Sequence, residues 1–226
     1  MDPREELRAE PQFAAVILAA GSSSRMGTPK ALLDAGADTT FLDTLAGVFL
    51  DCGCAVSAVL GADAERIAAS VRRSSEIVFV LNPDPARGQL SSLQCGLNAA
   101  ARGVQGVFFT PVDAPAVRRE TVLALMDAFG HSDYVIPAFN GKRGHPVLLR
   151  ASCAGAFLAL PPGTTARDVL QARYAATRIL EVPDRAILDD IDDPAAYEQW
   201  RRQVEARAKG PREGAGGGAS REGSAG

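Results

Sequence analysis

The sequence has no apolar run approaching the ~18 to 20 residues that a membrane-spanning helix needs. Its opening stretch, MDPREELRAEPQ, is charged and lacks the apolar core of a secretory signal. Basic charge is not in excess, since 24 Lys and Arg face 27 Asp and Glu for a net charge of -3. A binder of nucleic-acid backbones would carry a basic face, and this balance gives that class no support. A local basic pocket for a small anion stays open. Cysteines are few, at Cys52, Cys54, Cys95 and Cys153. Cys52 and Cys54 lie close, but no second close pair completes a zinc site, so free thiols in a reducing cytosol are the plain reading. No internal repeat is visible. The expectation is a soluble, cytoplasmic protein with neither nucleic acid nor membrane as partner.

What is present suits an α/β protein. The chain has 226 residues and is 46% hydrophobic, enough for one domain of ordinary size with a true core. Residues 1–12 read as a solvated lead-in, 13–207 as the folded domain and 208–226 as a tail. The tail is rich in Gly, Ala and Ser and cannot bury apolar surface, which predicts disorder. Within the domain, FAAVILAA, Val56 to Leu60, Ile77 to Leu81 and Val107 to Thr110 are the first four strand candidates. Helical spacing appears over FLDTLAGVFLDCG, Asp63 to Arg72, Ser91 to Ala101 and Glu120 to Phe129. Two shorter strands, Tyr134 to Ala138 and Pro146 to Arg150, flank a glycine-rich turn. Helices over Ser152 to Leu160 and Thr165 to Ala172 precede a last strand, Arg178 to Val182. Asp193 then reads as the cap of a closing helix with Pro194 at its first position. Such alternation implies a mostly parallel sheet covered on both faces. Ligands collect outside the carboxyl ends of strands in such sheets. The loops after the first, third and fourth strands should therefore carry the chemistry.

The loop after the first strand reads LAAGSSSRMGTPKALL. Gly21 and Gly27 let the backbone turn tightly and approach a ligand. Ser22, Ser23 and Ser24 add hydroxyls, and Arg25 and Lys30 bring two cations to a loop without an acid. This composition suits a polyphosphate; a glycine turn with surface charges is the plain alternative. A P-loop is excluded, because Thr28 and Pro29 separate Gly27 from Lys30. The dinucleotide fingerprint G-x-G-x-x-G is missing too, since three serines follow Gly21.

This stretch resembles the signature loop of the MobA-like nucleotidyltransferases, G-x-x-x-R-M-G-x-P-K after an apolar strand. Its LAAG opening and P-K ending are more similar to the molybdenum cofactor cytidylyltransferases than to the guanylyltransferases. The resemblance implies a three-layer Rossmann-like fold and transfer of a nucleoside monophosphate. It also implies that Ala20, Gly21 and Ser22 lie along the nucleotide, with Arg25 and Lys30 on its triphosphate.

The loop after the third strand, NPDPARGQLSSLQCGL, has turn residues Asn82, Pro83, Pro85 and Gly88, with Ser91 and Ser92 where a helix cap belongs. A capped helix after a loop explains the serines without a ligand. The segment is also similar to the family's N-P-x-x-x-x-G-x-x-S-S-L region, which implies nucleotide contacts for Gly88, Ser91 and Ser92. Gly61, ending the second strand, is either a base contact or a plain strand-end glycine. After the fourth strand comes FFTPVDAPAV. Asp113 there is either a turn former or, by resemblance to the family's V-D-x-P motif, a ligand of Mg²⁺, which takes hard oxygens. Cytidylyltransferases often carry glutamine where this chain has Ala114.

FNGKRGHPVLL resembles the family's G-H-P-V-L turn. Lys142, Arg143 and His145 are candidates to hold the acceptor, although His145 can equally be a structural residue beside Pro146. ILDDIDDPAAYEQW resembles the family's D-I-D-T-P end motif, with Asp193 in place of threonine. Asp192 is the candidate metal partner of Asp113, and Asp190 the second choice; a solvated acidic turn is the plain alternative.

By this resemblance, an acceptor oxygen would attack the α-phosphorus of an NTP in line, with Mg²⁺ as cofactor and no covalent enzyme intermediate. CTP and molybdopterin-bound molybdenum would be donor and acceptor, and a recipient molybdoenzyme a possible later partner. Two rivals stay open. One is the same chemistry with another NTP or on a sugar or alcohol phosphate. The other is a cofactor-binding chaperone or a nucleotide-dependent oxidoreductase on the same scaffold.

Overall fold

The computed structural model describes residues 10–100 and 103–208. Of the expected lead-in over 1–12, residues 1–9 lie outside the described residues, as does the expected tail after 208. Strands in chain order are β1 (Phe13–Ala19), β2 (Asp34–Gly36), β3 (Thr39–Thr40), β4 (Ala55–Leu60) and β5 (Ile77–Leu81). They continue as β6 (Gly106–Pro111), β7 (Tyr134–Phe139), β8 (Lys142–Arg143), β9 (Val147–Arg150) and β10 (Thr177–Glu181). Helices are α1 (Phe41–Asp51), α2 (Ala64–Ser70), α3 (Gln89–Ala99) and α4 (Arg119–Phe129). Then come α5 (Ala154–Leu158), α6 (Ala166–Ala172) and α7 (Pro194–Ala208).

The main sheet runs β10-β7-β9-β6-β1-β4-β5, with β8 against β7. The pairs β6–β1, β1–β4, β4–β5 and β10–β7 are parallel, while β9 runs antiparallel between β6 and β7. The mostly parallel α/β expectation therefore holds, with β9 and the short β8 as its antiparallel exceptions. From β1 the chain steps outward to β4 and β5, then returns to β6 on the other side. That reversal opens a crevice at the carboxyl ends of β1, β4 and β6.

The central position of β1 explains its composition. Alternate side chains enter two cores. Ala15, Ile17 and Ala19 face Phe41, Leu45 and Phe49 of α1. Ala14, Val16 and Leu18 face Leu93 and Leu97 of α3. With both faces covered, the strand reads as an unbroken apolar run instead of an alternating one. Helix α1 starts at a capping box, in which Thr40 Oγ1 accepts from Asp43 N at 3.1 Å and Asp43 Oδ2 accepts from Thr40 N at 3.0 Å.

Several boundaries differ from expectation. Helix α3 begins two residues before Ser91, so Gly88, not a serine, occupies its cap position. Helix α2 is shorter than the stretch Asp63 to Arg72. The stretch from Ser152 splits into a 3-10 turn and the short α5. The hairpin β2–β3 was not legible: Ala37 and Asp38 both adopt positive φ (51° and 54°) to close it, a geometry matched to hairpin twist. The expected cap of α7 is present, with Asp193 Oδ1 accepting from Ala196 N at 2.9 Å.

Candidate active site

The loop after β1 is held by its own serine. Ser23, at φ +48°, accepts from Met26 N through its carbonyl at 2.8 Å and from Lys30 N through its Oγ at 2.9 Å. This folds the loop back and fixes the backbone of Lys30, which opens a 3-10 turn whose Ala31 is buried in the core. The side chain of Lys30 is then free to project over the carboxyl ends of the strands.

The acids arrive from two other segments. Val112 N donates to Leu18 O at 3.1 Å, so the chain leaving β6 stays beside β1 as far as Asp113. The carbonyl of Asp113 accepts from Ile191 N at 3.2 Å, which draws the distant turn Asp190-Ile191-Asp192 alongside. Ile191 is buried, so its two flanking aspartates are left at the crevice. Beyond the turn, α7 is secured by Trp200 packed edge-on against Phe41 at 4.8 Å and by Tyr197 OH donating to Asp34 O at 2.9 Å.

Lys30 Nζ lies 2.9 Å from Asp113 Oδ2 and 2.5 Å from Asp192 Oδ1, and Arg25 Nη2 lies 3.4 Å from Asp192 Oδ2. Burial pulls the Lys30 ammonium down, but its bonds to Asp192 and Asp113 outweigh that and leave it above its ordinary value. The Lys30 hydrogen bond holds the Asp192 carboxyl below the usual range. Asp190 is pushed upward by burial and by the neighbouring Asp113 and Asp192 charges. Asp113, Asp190 and Asp192 can each bring one oxygen within 4.8 Å of the others. Three hard carboxylate oxygens at this spacing fit a divalent cation such as Mg²⁺. Both Asp192 and the second-choice Asp190 thus stand with Asp113.

A cleft of about 370 Å³ runs above this cluster. Ala20, Gly21, Ser22, Arg25, Lys30 and Asp113 line it from β1 and β6, and Gly88 and Ser92 line it from α3. Gly61 instead lines an adjoining cavity of about 290 Å³ with Ala20, Gly21 and Ser22. A Cβ at Gly61 would sit 2.7 Å from Ala20 O, so this glycine is needed for close strand-end packing.

Ser91 does not join the cleft. It is buried and its Oγ donates to Gly88 O at 2.8 Å, while Asn82 Nδ2 donates to the hydroxyls of Ser91 and Ser92 at 2.9 and 3.0 Å. Ser91 therefore shapes the loop from beneath the cleft instead of lining it. Asn82, expected only as a turn residue, is the buried organiser of this loop.

Lys142, Arg143 and His145 are apart from the cluster, lining a second cavity of about 740 Å³ beside β8. Burial drives His145 down to about 4, against a ring N–H donated to the Phe109 backbone and the charge of Asp190. His145 is therefore neutral near pH 7, not a third cation with Lys142 and Arg143. Its Nδ1 is buried without a hydrogen-bond partner among the described residues. Gln89 and Arg167 also line this cavity, and neither was singled out from sequence.

A sheet with a chain reversal at its centre, a Gly/Ser loop with two cations, and three carboxylates at the strand ends define an α/β protein suited to polyphosphate and a divalent cation. The chain belongs to the MobA-like NTP transferase domain family, whose model matches residues 15–178. Asp190 and Asp192 lie beyond the matched span. Over 136 residues the chain is 37% identical to the probable molybdenum cofactor guanylyltransferase of Rhodopirellula baltica, covering 57% of this chain and 64% of that protein. It is 28% identical to the molybdenum cofactor cytidylyltransferase of Escherichia coli, covering 79% and 90%. It is also 29% identical to nicotine blue oxidoreductase of Paenarthrobacter nicotinovorans, covering 80% and 93%. Among solved structures, Rv0371c of Mycobacterium tuberculosis is 26% identical with a TM-score of 0.72, covering 86% of this chain and 98% of that one. That protein has also been solved with manganese.

Proposed function

We propose that this protein is a divalent-cation-dependent nucleotidyltransferase that moves a nucleoside monophosphate, CMP from CTP as first choice, onto molybdopterin-bound molybdenum cofactor and releases pyrophosphate. The observation that carries the reading is Lys30 bridging Asp113 and Asp192 under the Gly21–Lys30 loop. Two relatives named for molybdenum cofactor nucleotidyl transfer support the acceptor class. The LAAG opening favours CTP, and GTP is the closest rival. We place the protein in the cytoplasm; among the described residues no helix is long and apolar enough to cross a membrane.

The roles follow from charge and position. Arg25 and Lys30 bind the triphosphate and neutralise the departing pyrophosphate. Asp113, Asp192 and Asp190 would hold Mg²⁺, which when bound neutralises charge on phosphate oxygens. Ala20, Gly21 and Ser22 offer backbone and hydroxyl groups along the nucleotide. Gly61 borders the space for the base. Catalysis is mainly positioning and electrostatics, because a phosphate oxygen is already an anion near pH 7 and needs no base.

The test is pyrophosphate release with Mg²⁺ and molybdenum cofactor, comparing CTP, GTP, ATP and UTP. Release with CTP alone supports the full reading. Release with another NTP moves the donor and keeps the chemistry. No release from folded protein with active cofactor overturns the acceptor, and sugar and alcohol phosphates are then tried. The oxidoreductase relative suggests a redox reading, against which stands the missing G-x-G-x-x-G. A flavin or nicotinamide absorbance in purified protein would favour it. Cofactor binding without pyrophosphate release would favour a chaperone.

A further inference from the structure

Two cavities meet at one side chain. Gln89 is the one described residue that lines both the cleft above the carboxylate cluster and the larger cavity beside β8. The two spaces have different chemistry. The cleft carries the polyphosphate-binding cations and the acids. The larger cavity is lined by Lys142 and Arg143 of β8 and Arg167 of α6, with Phe109 and Ile136 among its apolar residues, and no Asp or Glu is among its described lining. That combination takes an anionic molecule with an apolar or ring-bearing body.

Gln89 is fixed in place without being consumed. Gly88 adopts φ +91° and ψ 177°, which a side chain would strain, and this turns the chain so that α3 begins at Gln89. Seven residues on, Gly96 packs so closely on Val16 and Val59 that a Cβ would clash, which pins α3 onto β1 and β4. The Gln89 side chain is exposed and makes no hydrogen bond with the described residues. A rigid element thus presents a neutral amide where donor and acceptor must touch.

Resting on the nucleotidyl-transfer reading, we propose that Gln89 orients the acceptor at the junction, donating an amide N–H to its attacking anionic oxygen while Arg167 holds the acceptor's charge across the cavity. In this step the acceptor oxygen forms a bond to the α-phosphorus and the bond to the β-phosphate bridging oxygen breaks. Pyrophosphate leaves with that electron pair. Gln89 neither gains nor loses a proton. A neutral donor is what the position requires, since a carboxylate there would repel the triphosphate and the acceptor together.

The experiment uses the full chain with CTP, Mg²⁺ and molybdenum cofactor released from a molybdoenzyme. One hydrogen bond to a charged group predicts that Gln89→Ala lowers kcat/KM for the acceptor about 10- to 100-fold. Gln89→Glu, which has the same shape, should fall further. Calorimetric CTP binding should stay within about twofold in Gln89→Ala, since the amide serves the acceptor. Arg167→Ala should raise acceptor KM roughly tenfold and leave the CTP KM in place. An active wild type with unchanged acceptor kinetics in both Gln89 variants overturns the inference alone. Equal losses of CTP binding and acceptor use in Gln89→Ala overturn it too. A wild type silent with this acceptor overturns the functional reading, and the inference falls with it.

Discussion

Lys30 Nζ stands 2.9 Å from Asp113 and 2.5 Å from Asp192, so the protein's own ammonium sits among the carboxylates that would hold a divalent cation. Lysine and cation compete for the same oxygens, and a triphosphate that draws Lys30 away would relieve the competition. Lys30→Met should therefore tighten Mn²⁺ binding in the absence of nucleotide, as read by paramagnetic resonance titration. Turnover should nevertheless fall by about 100-fold or more, because the leaving group loses its cation. Weaker Mn²⁺ binding in the variant would contradict the competition.

Asp113→Asn tests the other half of the pair. The amide keeps the shape but removes one of three charges, so Mn²⁺ affinity should drop and turnover should fall by about 100-fold or more. Asp113 is at the surface of the cleft and Lys30 keeps Asp192 as partner, so the melting temperature should move by only a few degrees, roughly. Near-normal turnover in this variant would remove Asp113 from the site.

His145 makes stability depend on pH. Its folded value is pushed to about 4 by burial, whereas an unfolded histidine titrates near ~6.5. Between those values the unfolded chain binds more protons than the folded one, so acid favours unfolding. Stability should fall as pH drops from about 6.5 to 4, by roughly 3 kcal/mol at most, and level off below. Urea unfolding across this range should show the slope in wild type and a shallower one in His145→Gln. Parallel slopes would assign the acid sensitivity elsewhere.

Much of the site was legible because each motif binds its neighbours locally. Arg25 and Lys30 share one loop, and the Asp-Ile-Asp alternation buries Ile191 and leaves acids on either side. What sequence could not give was long-range placement. Nothing local says that Asp113 O receives Ile191 N across the chain, or that Asp190 would join Asp192 and Asp113 in one cluster. Ser91 matched a motif, yet its hydroxyl is consumed by Gly88 and Asn82, a tertiary demand that overrode the cap expectation. The β2–β3 hairpin was missed because Ala37-Asp38 is a weak turn signal compared with Asn-Gly or Asp-Gly. Gln89 has no motif at all; it matters only because two cavities meet there.

Gly61→Ala should disturb the nucleotide pocket without touching a charged group. The added methyl would meet Ala20 O at 2.7 Å, and the backbone must shift to admit it. Since Ala20 lines both the cleft and the cavity bordered by Gly61, CTP binding should weaken by about tenfold. Mn²⁺ binding without nucleotide should be retained. Calorimetry on both ligands checks this, and loss of both would mean that the substitution damages the fold at large.

Asp184 links the fold to the acidic turn and was not singled out from sequence. Its side chain is almost wholly buried and accepts from Arg118 N at 2.9 Å, Thr121 Oγ1 at 2.7 Å and Ala186 N at 3.1 Å. Arg118 Nε adds an ion pair at 3.6 Å. These bonds tie the start of α4 to the segment that leads from β10 to Asp190 and Asp192. Asp184→Ala strands three donors in a buried place, and each such group is costly to leave unpaired. The variant should lose roughly 3 kcal/mol or more in urea unfolding. Because the acidic turn then loses its upstream anchor, Mn²⁺ affinity should fall as well, under conditions where the protein is still folded. Asp184→Asn keeps one acceptor oxygen and should lie between wild type and the alanine variant in both measurements. If stability falls but Mn²⁺ affinity does not, the turn is positioned by Asp113 O and α7 alone.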